Sequence, residues 1–285
     1  MIVHELLQEG VSCLRLAKIP DAEIDAALLL GRLLGMSRAR LYLNARQVVS
    51  SELIDQYNSL LSRRLAREPV AYIVGEQEFW SLSFAVSPAV LIPRPETEEL
   101  IEQVLAHEKS SGFVAGPVLD LGVGSGAITV VLARELPDRV VWGIDRSWEA
   151  LLVARQNIHR HGVSANTHLV NGDWLTSLAA KRQFALVVSN PPYIADKEKA
   201  SLQPEVMDFE PHLALFSGDQ GLDDILILAQ EVRHVLLPGG WFFMEIGESQ
   251  GPAVLNIFAS FADYDSLAVH KDLAGRPRIF QARCL

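Results

Sequence analysis

Asn190-Pro191-Pro192-Tyr193 is the segment of this chain whose residue types say most about chemistry. It follows an apolar run at residues 185–189 that reads as a strand. It therefore stands at a strand's carboxyl end, where open α/β sheets bind ligands. Two prolines fix φ and remove two N–H donors, which keeps the Pro191 carbonyl out of local turns. Asn190 adds a side-chain carbonyl. A planar –NH2 group finds two acceptors here, Asn190 Oδ1 and the Pro191 carbonyl, while Pro192 shapes the turn and Tyr193 offers a ring to stack on. An amide nitrogen is a poor nucleophile because its lone pair is delocalised into its carbonyl. Two acceptors on its hydrogens raise its electron density, aim the lone pair and stabilise the positive charge that grows on alkylation. Asn190 and Pro191 are the candidate catalytic residues, and residues 190–193 the candidate substrate site.

A second motif, Asp120-Leu121-Gly122-Val123-Gly124-Ser125-Gly126, follows one apolar run and opens a helical one. Glycines let backbone approach a ligand closely, and Gly122-x-Gly124-x-x-Ala127 fits the dinucleotide fingerprint. Asp145 ends the next predicted strand, placed to accept from a ribose diol. Nicotinamide dinucleotides and S-adenosyl-L-methionine share this geometry. Asp120 favours the second, because a carboxylate there meets an ammonium group and repels a pyrophosphate. Asp173 is expected to accept from the adenine amino group and Trp174 to lie against the ring. The candidate cofactor residues are Asp120, Gly122, Val123, Gly124, Ser125, Gly126, Asp145, Asp173, Trp174 and Asn190.

The elements that must position these motifs alternate from Pro117 onward. Residues 118–121, 140–144, 167–170, 185–188 and 241–246 read as strands. Residues 127–134, 147–160 and a face of Ile225, Leu228, Ala229, Val232 and Leu236 read as helices, the last closed by Pro238-Gly239-Gly240. Alternating βα units imply a parallel sheet covered on both faces. Residues 1–70 read instead as a small helical bundle. Asp21 is expected to cap a helix that buries Ile24, Ala27, Leu28 and Leu34 and ends at Gly35, and Ser50 or Ser51 to cap another. Residues 71–92 hold Phe79, Trp80, Leu82, Phe84 and Val86 in partial alternation, a β-hairpin connector. Residues 93–285 form the larger domain.

The chain has 285 residues, 49% hydrophobic and 21% charged, a globular balance that excludes a mostly disordered protein. No apolar run approaches the ~20 residues of a membrane span, and the acidic start lacks the basic region of a signal peptide. Only two cysteines, Cys13 and Cys284, lie at opposite ends. That points to a reduced cytoplasmic setting, excludes a cysteine zinc site and leaves no metal expected. Net charge is −10, and residues 81–285 hold 16 basic against 25 acidic side chains. Stable binding to a phosphate backbone needs the opposite balance. Residues 32–67 nevertheless carry seven arginines and two acids, which reads either as a solvated face or as a docking patch for an acidic partner or for RNA.

Taken together, Pro93-Arg94-Pro95-Glu96-Thr97-Glu98, the Asp120–Gly126 loop, Gly143-Ile144-Asp145-Arg146, Asn190-Pro191-Pro192-Tyr193-Ile194, Glu210-Pro211, Pro238-Gly239-Gly240 and Gly275-Arg276 resemble the HemK/PrmC family of protein-(glutamine-N5) methyltransferases across essentially the whole chain. The tetrapeptide alone is shared with nucleic-acid amine methyltransferases, so it is the combination that carries the resemblance. The resemblance implies a Rossmann-like, seven-stranded class I methyltransferase sheet with an antiparallel last strand, joined by a β-hairpin to a helical bundle. It implies S-adenosyl-L-methionine as cofactor, with S-adenosyl-L-homocysteine as product. The implied substrate is the glutamine of the Gly-Gly-Gln motif in class I peptide chain release factors, in a bacterial or organellar, monomeric enzyme. The alternatives are a ribosomal-protein glutamine, a DNA or RNA exocyclic amine and, further off, NAD-dependent oxidation. Val123 stands where the family often has Thr. Residues 94–98 are expected to close over the cofactor or the glutamine, and Arg63, Arg64 and Arg67 to dock the protein substrate.

Overall fold

A computed structural model describes residues 1–285, which divide into two compact units. The first is Met1–Glu76 with Gln203–Phe209; the second is Gln77–Leu202 with Glu210–Leu285.

The first unit is built from α1 (Val3–Leu16), α2 (Ala22–Leu34), α3 (Arg38–Leu43), α4 (Ser51–Leu65) and α5 (Val70–Val74). Gly35 ends α2 in the left-handed region at φ 62°, where a glycine carries no Cβ penalty. Ser50 caps α4 by accepting from the Leu53 N–H. The buried face of α2 differs from the expected one. Ile24 and Leu28 are 45% exposed, while Ala26, Leu29 and Leu30 are buried. The inward face is set by where α1 and α4 pack, not by the most apolar residues of α2. Tyr57 of α4 is wholly buried and donates its hydroxyl to the Ala26 carbonyl at 3.2 Å. Gly10 makes room for it, since a Cβ at Gly10 would lie 2.1 Å from Tyr57 Oη. The long helix α4 stops at Leu65, and Pro69 stands at the N-cap of α5, an element that the hairpin expectation missed.

In the second unit, β1 (Glu76–Phe79) and β2 (Leu82–Ala85) form a two-stranded sheet and α6 (Glu98–Ser110) follows. Then come β3 (Val118–Leu121), α7 (Ala127–Glu135), β4 (Val141–Asp145), α8 (Trp148–Arg160), β5 (Thr167–Asn171) and β6 (Phe184–Ser189). After α9 (Pro204–Phe209), which belongs to the first unit, the chain adds α10 (Asp223–Glu231), β7 (Leu236–Glu245), α11 (Gly251–Ala259), β8 (Tyr264–Lys271) and β9 (Pro277–Cys284). The seven strands run in the order β5-β4-β3-β6-β7-β9-β8, with β9 antiparallel to both neighbours. Burial on both faces explains why β3 and β6 are apolar at nearly every position. Pro238-Gly239-Gly240 does not close a helix. It lies inside β7, beside a register irregularity against β6 where regular pairing skips between Phe184 and Leu186.

Within the first unit, α9 supplies Glu205. Its Oε1 accepts from both terminal nitrogens of Arg64 at 3.0 Å and from Arg67 at 3.2 Å, and Arg64 also donates to Asp25 Oδ2 at 2.7 Å. Arg64 is 6% exposed. Arg63 is paired with Glu68. Arg64 and Arg67 are thus committed within the fold, Arg67 donating also to the Ala17 carbonyl, which corrects their assignment to a docking face; Arg63 stays exposed beside its Glu68 partner. Burial pushes the Asp25 carboxyl up despite its Arg64 partner. Burial also opposes ionisation of Glu205, but its own helix backbone and the two guanidinium groups outweigh that and hold it low.

Candidate active site

The strand order reverses beside β3: the chain runs outward through β4 to β5, then returns to place β6 on the other side of β3. Such a reversal opens a crevice beyond the strands' carboxyl ends. The loop after β3 and the tetrapeptide after β6 both line one cavity there, together with the ends of β4 and β5.

Gly122, Gly124 and Gly126 all have positive φ, of 82°, 54° and 82°. A Cβ at Gly122 would point at the Trp174 ring, 3.7 Å away, and narrow the cavity. Gly126 lies against Ala154 of α8, so its role is close packing of the loop under the helix. Val123 is buried, and its N–H bonds the Ile144 carbonyl. Ser125 lines the cavity, with its carbonyl held by Asn157 Nδ2 at 2.8 Å.

Asp145, at the end of β4, accepts the Gly124 N–H on Oδ2 and the Ser147 N–H on Oδ1, each at 2.8 Å. These bonds fix both oxygens and leave each a further lone pair for a diol. Burial pushes its carboxyl up, while the two backbone donors and Arg146 pull it down. Trp174 lines the cavity with a left-handed backbone, φ 46°, and donates its indole N–H to Asp224 Oδ1 at 3.0 Å. Asp173 lies at the rim, 3.9 Å from Arg146 and largely exposed. A flat ring, a strand-end acid with two oriented oxygens and a glycine-rich loop fit a nucleoside-bearing cofactor.

Two of the cofactor candidates, Gly126 and Asp120, do not line the cavity, and Asp120 lies deepest. It is wholly buried and does not line the cavity. Its Oδ2 accepts from Thr129 Oγ1 at 2.6 Å, while Oδ1 has no partner. Burial pushes its carboxyl up to about 7, against the Thr129 hydrogen bond and with help from the charge of Asp145.

Asn190 lines the cavity from the β6 side and donates Nδ2–H to Thr97 Oγ1 at 3.0 Å. Thr97 in turn donates to Glu245 Oε2 at 2.6 Å. Tyr193 donates its hydroxyl to Glu245 Oε1 at 3.0 Å. No group of the chain donates to Asn190 Oδ1 or to the Pro191 carbonyl. Pro192 lines the cavity; Tyr193 does not, and instead walls an adjoining polar groove with Glu198, Gln250 and Arg278. Burial pushes the Glu245 carboxyl up, opposed by the Thr97 and Tyr193 hydrogen bonds and by Arg278. Burial and the neighbouring Glu245 charge push the Tyr193 phenol well up.

Within residues 94–98, the members facing the cavity are Arg94 and Thr97. Arg94 is ion-paired with the buried Glu210, whose other oxygen accepts the Ile92 N–H at 3.3 Å. Glu96 is exposed, and Glu98 accepts the Trp80 N–H at 2.6 Å, which ties α6 to the two-stranded sheet. Thr97 and Asp224 were not singled out by spacing, since each acts through a partner far away in sequence.

Comparison with known proteins matches residues 5–75 to the PrmC N-terminal domain and residues 97–208 to the Methyltransferase small domain. A protein named release factor glutamine methyltransferase from Koribacter versatilis is 41% identical over 99% of this chain and 99% of its own. The chain belongs to the release factor glutamine methyltransferase family. Another member, from Vibrio cholerae, is 42% identical over 90% of this chain and 87% of its own. A solved methyltransferase from Pyrococcus furiosus shares the fold with a TM-score of 0.50 and 18% identity, covering 80% of this chain and 98% of that one. No helix is long and apolar enough to cross a membrane.

Proposed function

We propose that this methyltransferase uses S-adenosyl-L-methionine to methylate the N5 amide of the glutamine in the Gly-Gly-Gln motif of class I peptide chain release factors. The observation that carries the substrate half is Asn190 Oδ1, an acceptor without an internal partner at the cavity wall; the Pro191 carbonyl, next to it in the chain and also without an internal donor, belongs to a buried residue that does not itself line the cavity. Each takes one hydrogen of a primary amide. Together they orient the nitrogen and stabilise the charge that develops on it. The cofactor supplies a methyl group activated on a sulfonium. Asp145 would hold its ribose diol, and Gly122 and Gly124 give the close backbone approach. Trp174 flanks the base, with Asp173 at the rim. Asp120, beneath the loop, acts on the loop's stability and on local charge rather than by direct contact.

The helical unit is the part we assign to docking the release factor. Arg38, Arg40 and Arg46 are exposed and lack ion-pair partners, and Tyr42, Leu43 and Val48 are exposed beside them in sequence. A basic, apolar surface suits an acidic protein partner.

The test is methyl transfer from labelled cofactor to a purified class I release factor, with a Gln→Ala change in its Gly-Gly-Gln motif as control. Label on the first and none on the second is the expected result. Label on both, or on neither, overturns the assignment.

A further inference from the structure

A carboxamide is nearly symmetric in shape, so packing alone does not determine which end of Asn190 faces the cavity. The hydrogen-bond chain behind it does. Glu245 is buried at 1% exposure and accepts on both oxygens, from Thr97 and from Tyr193. With Tyr193 donating to one oxygen and Thr97 to the other, neither Glu245 oxygen is a donor toward Thr97 in this arrangement. Thr97 therefore spends its single hydroxyl proton on Glu245, and its oxygen is left as an acceptor. Asn190 must then present Nδ2–H to Thr97, which turns Oδ1 to the cavity.

We propose that Glu245, acting through Thr97, is the positioning residue that makes Asn190 an acceptor toward the substrate and so selects an amide –NH2 over a carboxylate. This rests on the proposed glutamine substrate and adds the origin of its discrimination against glutamate. Reversing the chain's polarity would turn Nδ2–H into the cavity, where it meets a carboxylate and repels an amide –NH2. Neither Glu245 nor Thr97 need touch the reacting atoms.

Thr97→Val removes the hydroxyl at nearly constant shape; Thr97→Ser keeps it. An unsatisfied polar group at the site corresponds to about a 5- to 150-fold loss, so kcat falls by that factor in Thr97→Val and stays within about threefold in Thr97→Ser. In Glu245→Gln the new amide can donate to Thr97 and reverse the chain. Its expected signature is a narrowed ratio between binding of a Gly-Gly-Gln peptide and inhibition by the matching Gly-Gly-Glu peptide, by about the same factor. A purely structural role for Glu245 would weaken both peptides alike. Without any substrate, the Asn190 side-chain amide resonances, identified by their loss in Asn190→Ala, should shift in Thr97→Val and not in Thr97→Ser. Equal kcat in wild type and Thr97→Val, equal damage in both Thr97 variants, or an unmoved Asn190 amide overturns the relay. If wild type labels no release factor, the substrate reading fails, and the amide spectrum still decides the relay separately.

Discussion

Thr129 gives its hydroxyl to one oxygen of Asp120 at 2.6 Å, and the other oxygen of that wholly buried carboxylate has no partner. With its carboxyl pushed from the ordinary 3.8 up to about 7, the folded protein holds this proton more tightly than the unfolded chain. The group's contribution is therefore most favourable below about pH 4 and is lost as pH rises toward about 7, a change of about 4 kcal/mol. Asp120→Asn cannot ionise. Urea unfolding from pH 4.5 to 7.5 should show the variant gaining on wild type across that window; a constant difference would mean that Asp120 titrates normally.

Asp145 should govern cofactor affinity. Asp145→Asn keeps the size but exchanges one acceptor for a donor, facing either the Gly124 or the Ser147 N–H. Losing a hydrogen bond to a charged group costs about 1.5–3 kcal/mol. Titration calorimetry should show S-adenosyl-L-methionine bound roughly 10- to 150-fold more weakly. Affinity within twofold of wild type would remove Asp145 from the site.

Asn190→Ala leaves a substrate amide hydrogen without its acceptor. Turnover should fall by at least about 5- to 150-fold at saturating release factor. Near-normal kcat would refute the acceptor role.

The arginines of the helical unit should separate into two kinds. Asp25→Ala strips a partner from the buried Arg64 and should destabilise the fold by about 3–5 kcal/mol in chemical denaturation. Charge reversal at Arg38, Arg40 and Arg46 should leave the melting temperature nearly unchanged. It should raise KM for the intact release factor but not for a short Gly-Gly-Gln peptide. Equal effects on both substrates would dismiss this face as the docking surface.

The site was legible where one stretch of chain carries a whole function. Gly122 to Gly126 and Asn190 to Tyr193 each follow a strand, and their chemistry needs little beyond local backbone. What spacing did not show is the support behind them. Asn190 meets Thr97 across 93 positions, and Thr97 meets Glu245 across 148, so no local pattern joins them. Ile24 and Leu28 were misplaced because a helix's inward face depends on which helices it meets. Pro238-Gly239-Gly240 has the composition of a helix stop yet lies within a strand, where pairing with β6 outweighs local preference. Asp120 looked like a ligand contact from its place before the loop; its burial shows that the same place is also the middle of the sheet.

The six-residue α9 has a consequence for how this protein can be taken apart or recombined. The helical unit is not a contiguous module at the start of the chain, because Gln203–Phe209 completes it from within the second half. A fragment ending at residue 76 would leave behind Glu205, on which Arg64 and Arg67 converge. Swapping the helical unit between relatives thus takes two separate segments rather than one, with three junctions in the chain. The residues of the two stretches that meet here have to be exchanged together, although the two-stranded sheet and four of the seven strands of the large sheet are encoded between them.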